Sequence, residues 1–224
     1  MYLDMQATTP IDFRVLDKML PFLTSEYGNP HSKGHVFGAE SESAVEEARR
    51  HIAALLNADK REIVFTSGAT ESNNAAILGL CKASLKSGSP KNHLITTQIE
   101  HKTVLEAIEH AKNELGFDVT ILEVDEYGRV DLNHLKSVIN EKTLLVSIMA
   151  MNNEIGVFQD LKAIGDICES KGVYFHTDAA QAIGKTDIDV KNMHIDFLSF
   201  TGHKSFAPKG TGGLFAKEIY ISGG

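Results

Sequence analysis

Short apolar runs alternate with longer amphipathic segments along most of this chain, and that alternation restricts the fold more than any other feature. The runs "EIVFTSG", "HLITT", "DVTILEV", "TLLVSIMA", "VYFHTD", "DFLSF" and "GGLFA" have strand length. Between them lie "ATESNNAAILGLCKASL", "KTVLEAIEHAKNEL", "DLNHLKSVIN" and "LKAIGDICESK", which read as helices. Gly116 and Gly172 follow two of these segments, as helix C-caps do. An earlier helix, "AESESAVEEARRHIAALLNA", is expected to bury Val45, Ala48, Ile52, Leu55 and Leu56 on one face. Several strands are apolar on both faces. The pattern predicts an α/β fold, a mostly parallel sheet with helices on both faces. Such sheets bind ligands at the carboxyl ends of their strands, so the chemistry is sought there.

Bulk properties narrow the function. The 224 residues fit one large domain, and 42% hydrophobic with 23% charged residues is ordinary for a globular protein. A net charge of −8 without a basic block argues against a nucleic-acid partner. Cys81 and Cys168 are too few for a disulfide framework or a zinc site and suit a reducing compartment. No apolar run is long enough to span a bilayer, so no membrane partner is expected, and no targeting segment is recognisable. The ending "SGG", without a closing helix, reads as a chain cut in a loop.

Each strand end carries polar residues that have an ordinary explanation when taken singly. "EIVFT" leads into "SGATESNN", where a glycine turn feeds a helix N-terminus at Ala69 and Thr70. Such a terminus suits a phosphate, although an ordinary N-cap would look the same. The P-loop signature is missing. "HLITT" leads to His101, and "TLLVSIMA" to Asn152, Asn153 and Glu154. "VYFHT" ends on Asp178, either a helix cap or an acid for a cationic ring nitrogen, followed by Gln181. "DFLSF" leads to Thr201, His203 and Lys204. A lysine in such a partly desolvated place becomes a usable amine nucleophile. Taken together, a phosphate-type helix terminus, an acid, hydroxyl and imidazole donors and a lysine on one sheet edge match what pyridoxal 5′-phosphate (PLP) requires.

The segments "YLDMQATTP", "YGNPHSKGH", "FTSGATESNN", "EHKTV", "MNNEIG", "HTDAAQ" and "TGHKSFAPKGTGGL" resemble the NifS/IscS-type cysteine desulfurases of the class V aminotransferase family. They fall in the family's order across nearly all of the chain, and the "HKxxxPKG" form is similar to the Fe–S assembly group. The resemblance implies a fold type I PLP-binding large domain over residues 13–224, preceded by an N-terminal segment over residues 1–12. Lys204 matches the Schiff-base lysine, and His101 the histidine that stacks on the pyridine ring and assists proton transfer. Asp178 matches the partner of the ring nitrogen, and Gln181 that of the ring hydroxyl oxygen. Asn153 matches a cofactor- and substrate-facing amide. Ala69, Thr70, Thr201 and His203 match phosphate ligands. Thr201 replaces the commoner serine, Ala207 stands where glycine is usual, and Ala150 and Met151 replace larger or polar residues.

By the same resemblance the reaction converts L-cysteine to L-alanine and passes sulfur as a persulfide to an Fe–S scaffold or other sulfur-acceptor protein. The enzyme would be a homodimer, cytoplasmic in a bacterium and mitochondrial or in a related organelle in a eukaryote. The resemblance places the small C-terminal domain, the substrate-binding arginine and the nucleophilic cysteine on its mobile loop outside these residues; Cys81 and Cys168 do not match that cysteine and read as buried packing residues. Three functions stay open: a desulfurase portion inactive alone, a non-catalytic PLP- or partner-binding relic, and a selenocysteine lyase or other fold type I PLP enzyme.

Overall fold

The computed structural model describes residues 3–32 and 34–217. The "SGG" ending therefore lies outside the described residues. Helices α1 (Phe13–Thr24) and α2 (Val36–Leu56) lead through a 3-10 turn at Lys60–Glu62 into β1 (Ile63–Thr66) and α3 (Ala69–Lys86). Then follow β2 (His93–Thr97), α4 (Lys102–Leu115), β3 (Asp118–Leu122), α5 (Leu132–Val138), β4 (Thr143–Ser147), α6 (Leu161–Lys171), β5 (Tyr174–Asp178), β6 (Phe197–Thr201) and β7 (Gly212–Ala216). The aspartates Asp12, Asp131 and Asp160 cap α1, α5 and α6 by accepting from first-turn N–H groups. Gly116 and Gly172 end α4 and α6 in the left-handed region, at φ 75° and 62°.

The seven strands form one sheet in the order β1-β7-β6-β5-β4-β2-β3. Strand β7 is antiparallel to both β1 and β6, and every other neighbouring pair is parallel. Only β7 is reversed, so the carboxyl ends of β1, β2, β4, β5 and β6 share one edge. The reversal needs a close approach. A Cβ on Gly212 would collide with Gly68 Cα and with the Phe200 carbonyl oxygen, so glycine there lets β7 run tight against the β1–α3 turn.

Alternate side chains feed two cores, as the period of a strand requires. Leu94, Leu145, Phe197 and Leu214 face α3 and α4, with Ile77, Ala107 and Ile108. Ile95, Val146, Phe175, Leu198 and Phe215 face the other layer, where Leu135, Ile164 and the end of α2 pack. No described helix is long and apolar enough to cross a membrane.

Two expectations are corrected. On α2 the fully buried residues are Gly38, Ser41, Ala53 and Leu56, with Ile52 partly buried, while Val45, Ala48 and Leu55 are exposed. Among its apolar residues only the C-terminal turns of α2 meet the core, so periodicity marks an apolar stripe without telling how much of it is covered. The run "TLLVSIMA" outlasts its strand. β4 stops at Ser147, but Ile148 and Ala150 stay buried and donate to the His176 and Asp178 carbonyls at 3.1 and 2.9 Å.

Two helical glycines differ in their surroundings, and opposite stability changes are expected from them. A Cβ on buried Gly165 of α6 would collide with the Met193 carbonyl oxygen, whereas one on Gly79 of α3 meets nothing within 4 Å. Gly165→Ala is expected to destabilise by about 1–3 kcal/mol through overpacking, and Gly79→Ala to stabilise by about 0.5–1 kcal/mol through helix propensity. Denaturant midpoints at unchanged m-value check both signs.

Candidate active site

The shared strand edge opens into a cavity of about 670 Å³. Ala69, Thr70, His101, Asn153, Asp178, Gln181, Thr201, His203 and Lys204 all line it, as do Gln6, Ser67, Met149 and Met151. The ends of five strands and the loops after them thus bring these residues to one place, while Asn152 and Glu154 lie outside the cavity.

On one side stands the N-terminus of α3. Its N-cap, Gly68, provides no side-chain cap, and the first N–H groups of a helix have no partner within it. Glu71 in the first turn folds back, accepting from Ser67 N and Ser67 Oγ, both at 2.7 Å. These bonds hold its carboxyl below the usual range. A side chain at Gly68 would reach to within 3.7 Å of Thr201 Oγ1, so glycine leaves that corner open. An uncapped helix terminus beside a hydroxyl is a donor set for an oxyanion.

The opposite wall is tied down by the N-terminal segment. Thr9 donates to the His203 carbonyl from its backbone nitrogen at 2.8 Å and from Oγ1 at 3.0 Å. His203 Nδ1 lies 3.1 Å from Thr8 Oγ1. Phe206, in the left-handed region at φ 61°, donates to Thr9 Oγ1, and its carbonyl accepts from Asp12 N. Lys204 sits inside this braced loop. Burial lowers its pKa, against the raising influence of Asp178, which enlarges the share of neutral amine near neutral pH.

Asp178 is buried at the end of β5. Its Oδ1 accepts from Ala180 N at 2.9 Å and its Oδ2 from Asn73 Nδ2 at 2.8 Å. These two N–H groups stand in for the water that an ionised carboxylate would otherwise keep. Asn73 also donates to Thr103 Oγ1 at 3.0 Å, and Thr103 Oγ1 lies 2.9 Å from His101 Nδ1. His101 is the N-cap of α4, and burial lowers the pKa of its ring, with Asp178 opposing and Lys204 adding to the effect.

The two amides after β4 divide their roles. Asn152 is buried and structural, donating to the Ile99 carbonyl and accepting from Glu154 N and Ile155 N. Asn153 faces the cavity and donates to Gln6 Oε1 at 3.3 Å. Gln181 donates to the Gln6 carbonyl at 2.8 Å and accepts from Lys185 Nζ at 3.1 Å. Cys81 and Cys168 are buried far from this edge in helices α3 and α6, and burial pushes both thiols up to about 12, which suppresses thiolate.

Sequence reasoning missed Asn73, Thr103 and Glu100. Asn73 lies one helical turn beyond Ala69 and so shares its face, and Thr103 follows the capping His101 by two residues. Those spacings were available signals, but neither reveals the partner. Glu100 ties two strand ends together: its Oε1 accepts from Thr97 Oγ1 at 2.9 Å and from Met149 N at 2.7 Å.

The aminotransferase class-V family profile matches residues 1–222. The chain is 56% identical over 217 residues to a probable mitochondrial cysteine desulfurase of Dictyostelium discoideum, covering 97% of this chain and 47% of that protein. It is 53% identical over 217 residues to the cysteine desulfurase IscS of Rickettsia felis, covering 97% and 52%. The chain thus spans about half the length of these relatives. A solved structure described as SspA in complex with cysteine superposes with a TM-score of 0.92 at 41% identity, covering 97% of this chain and 61% of that one.

Glu100 gives the site a measurable signature. Its Oε2 is buried without a hydrogen-bond partner among the described residues. Burial raises its pKa to about 8, opposed by the Met149 and Thr97 bonds and reinforced by Asp178. Below the ordinary glutamate pKa the carboxyl is protonated folded or unfolded, and its contribution to stability is fully present. As pH rises toward 8 the unfolded chain ionises while the fold keeps the proton, and that contribution is lost. Glu100→Gln removes this dependence. Between pH 5 and 8 the stability difference is expected to move in favour of the variant by at least about 1 kcal/mol, read from denaturant titrations at several pH values. A difference that does not vary with pH would show Glu100 ionised in the fold.

Proposed function

The chain belongs to the aminotransferase class-V family, and from that membership and the cavity we propose that it is the PLP-binding large-domain portion of a cysteine desulfurase. Its architecture is the mixed, mostly parallel sheet of the fold type I large domain. In this reading residues 13–224 belong to the cofactor-binding domain and residues 1–12 to an N-terminal segment, of which Thr8, Thr9 and Asp12 brace the Lys204 loop. The whole enzyme would act on L-cysteine as a homodimer and deliver sulfur to a scaffold or acceptor protein for Fe–S assembly or thiolation.

One observation carries the reading. A half-buried amine, Lys204, and a buried carboxylate, Asp178, line the same cavity as an uncapped helix terminus. The donor set fits PLP: the α3 terminus at Ala69 and Thr70, with Thr201 and His203, suits a phosphate, and Asp178 suits a cationic ring nitrogen. When bound, PLP supplies the electron sink that makes a substrate Cα proton acidic.

The chain's own residues divide the remaining work. Lys204 Nζ would hold the cofactor and, once the substrate's own amine has displaced it, would be the neutral amine that accepts the Cα proton. Its lowered pKa keeps that form accessible. Asp178 is held in place by its two N–H partners and would present its carboxyl group to the cofactor's ring nitrogen. His101 assists proton transfer near the substrate thiol, and Asn153 and Gln181 orient cofactor and substrate by their amides. Cys81 and Cys168 are unsuited to accept sulfur, so the persulfide-forming cysteine would belong to a segment beyond this chain.

Incubation with PLP, borohydride reduction and peptide mapping tests the proposal. Lys204 is the expected site of the reduced phosphopyridoxyl group, and Lys204→Arg is expected to remove both the label and the visible absorbance. Asp178→Asn is expected to weaken PLP retention by at least about tenfold, since truncating one partner of a buried charge pair costs about 2–5 kcal/mol. A label scattered over surface lysines would leave only a family-related fold.

A further inference from the structure

The His101 ring is fixed from behind through one nitrogen. Thr103 donates to Nδ1 from its backbone N–H at 3.3 Å, and Thr103 Oγ1 lies 2.9 Å from the same atom. Asn73 Nδ2 reaches Thr103 Oγ1 at 3.0 Å and Asp178 Oδ2 at 2.8 Å. The amide cannot be turned around, because an ionised carboxylate only accepts. Both Asn73 N–H groups are therefore committed, one to Asp178 and one to Thr103. Asn73 Oδ1 is buried with no hydrogen-bond partner among the described residues, so the amide serves through its two donors.

This sets a direction for the whole chain of bonds. Thr103 Oγ1 accepts from Asn73 and turns its own hydrogen toward His101. Nδ1 already accepts a backbone N–H, which has no lone pair to offer in return. A proton on Nδ1 would meet the Thr103 N–H head-on. We propose that Asn73 and Thr103 are positioning residues that lock His101 as the neutral Nε2–H tautomer, so that its one ring proton sits on the nitrogen left for the cavity.

The charged groups acting on the ring are Asp178, Lys204, Lys102 and Glu106, with Glu100 next to it in sequence. The consequence for chemistry rests on the cofactor-site reading. A ring that holds its proton on Nε2 donates toward bound substrate and has no free lone pair there, so the base for the Cα proton is Lys204 alone. Toward bound substrate Nε2–H would assist proton transfer as a hydrogen-bond donor that polarises an acceptor atom and keeps its own proton.

The tautomer is a property of the chain without cofactor and is measured there. Two-bond 15N–1H correlation spectra of the 15N-histidine-labelled chain, with His101 assigned by its loss in His101→Gln, report which nitrogen carries the proton. The neutral Nε2–H pattern is expected at pH 7. Thr103→Val, nearly isosteric, removes the hydroxyl at 2.9 Å and leaves only the longer 3.3 Å backbone bond to hold the tautomer, and is expected to raise the share of Nδ1–H above the wild-type level and the ring's titration midpoint by about one unit, or about tenfold more imidazolium above that midpoint. Thr103→Ser is expected to restore the wild-type pattern. A protonated Nδ1 in the wild-type chain, or a Thr103→Val spectrum identical to wild type, would overturn the proposal. Failure of the Lys204 label would instead overturn the cofactor reading and leave the tautomer result standing.

Discussion

A carboxylate at the end of a central strand has to be solvated by protein instead of water, and that requirement organises this molecule. Asp178 receives its two N–H groups from different places, the following turn and the buried face of α3. Asn73 can reach it only if α3 crosses the carboxyl ends of β5 and β6. The same residue engages Thr103 and so sets α4 against α3. The positions of the phosphate-type terminus and of His101 are thereby tied to one buried carboxyl group.

The layer beneath α3 is graded along the strands. Toward the amino ends it is apolar, with Phe197 and Leu214 against Ala76 and Leu80. Toward the carboxyl ends it is polar and hydrogen-bonded. Ser147 Oγ and Ser199 Oγ hold the two nitrogens of His176 at 2.8 and 3.0 Å, and Ser72 donates to the Gly213 carbonyl at 2.9 Å. Burial pushes the His176 ring down to about 3, so it is a neutral strut across β4, β5 and β6. The grading gives stability at one end of the sheet and fixed dipoles at the other, where a polar ligand would sit.

Strand and helix identities were legible because each has its own hydrophobic period. The strand ends were legible as a site because parallel topology assembles them on one edge. The reversal of β7 was not legible. "GGLFA" reads the same in either direction; the short connection from Thr201 to Gly212 suits an antiparallel return, and glycine at 212 permits the close approach to Gly68. The face of α2 was misjudged because an apolar stripe does not announce how much of it is covered. Lys204 and Asp178 stood out by charge in an apolar setting. Asn73 and Thr103 did not, since an amide and a hydroxyl inside helices look ordinary until their partners, 105 and 30 residues from Asn73, are known.

The brace between the first residues and the Lys204 loop bears on how the protein is made. Thr9 and His203 are 194 residues apart. At about 5–20 residues per second, a ribosome takes ~10–40 s to deliver the second partner after the first. Until then the N-terminal segment can dock only in part, through Gln6 to Asn153 and Gln181, while the early strands and helices can already pack. The loop that carries Lys204 is thus fastened by residues made long before it, and the cavity is complete only once nearly all of this sequence has left the exit tunnel.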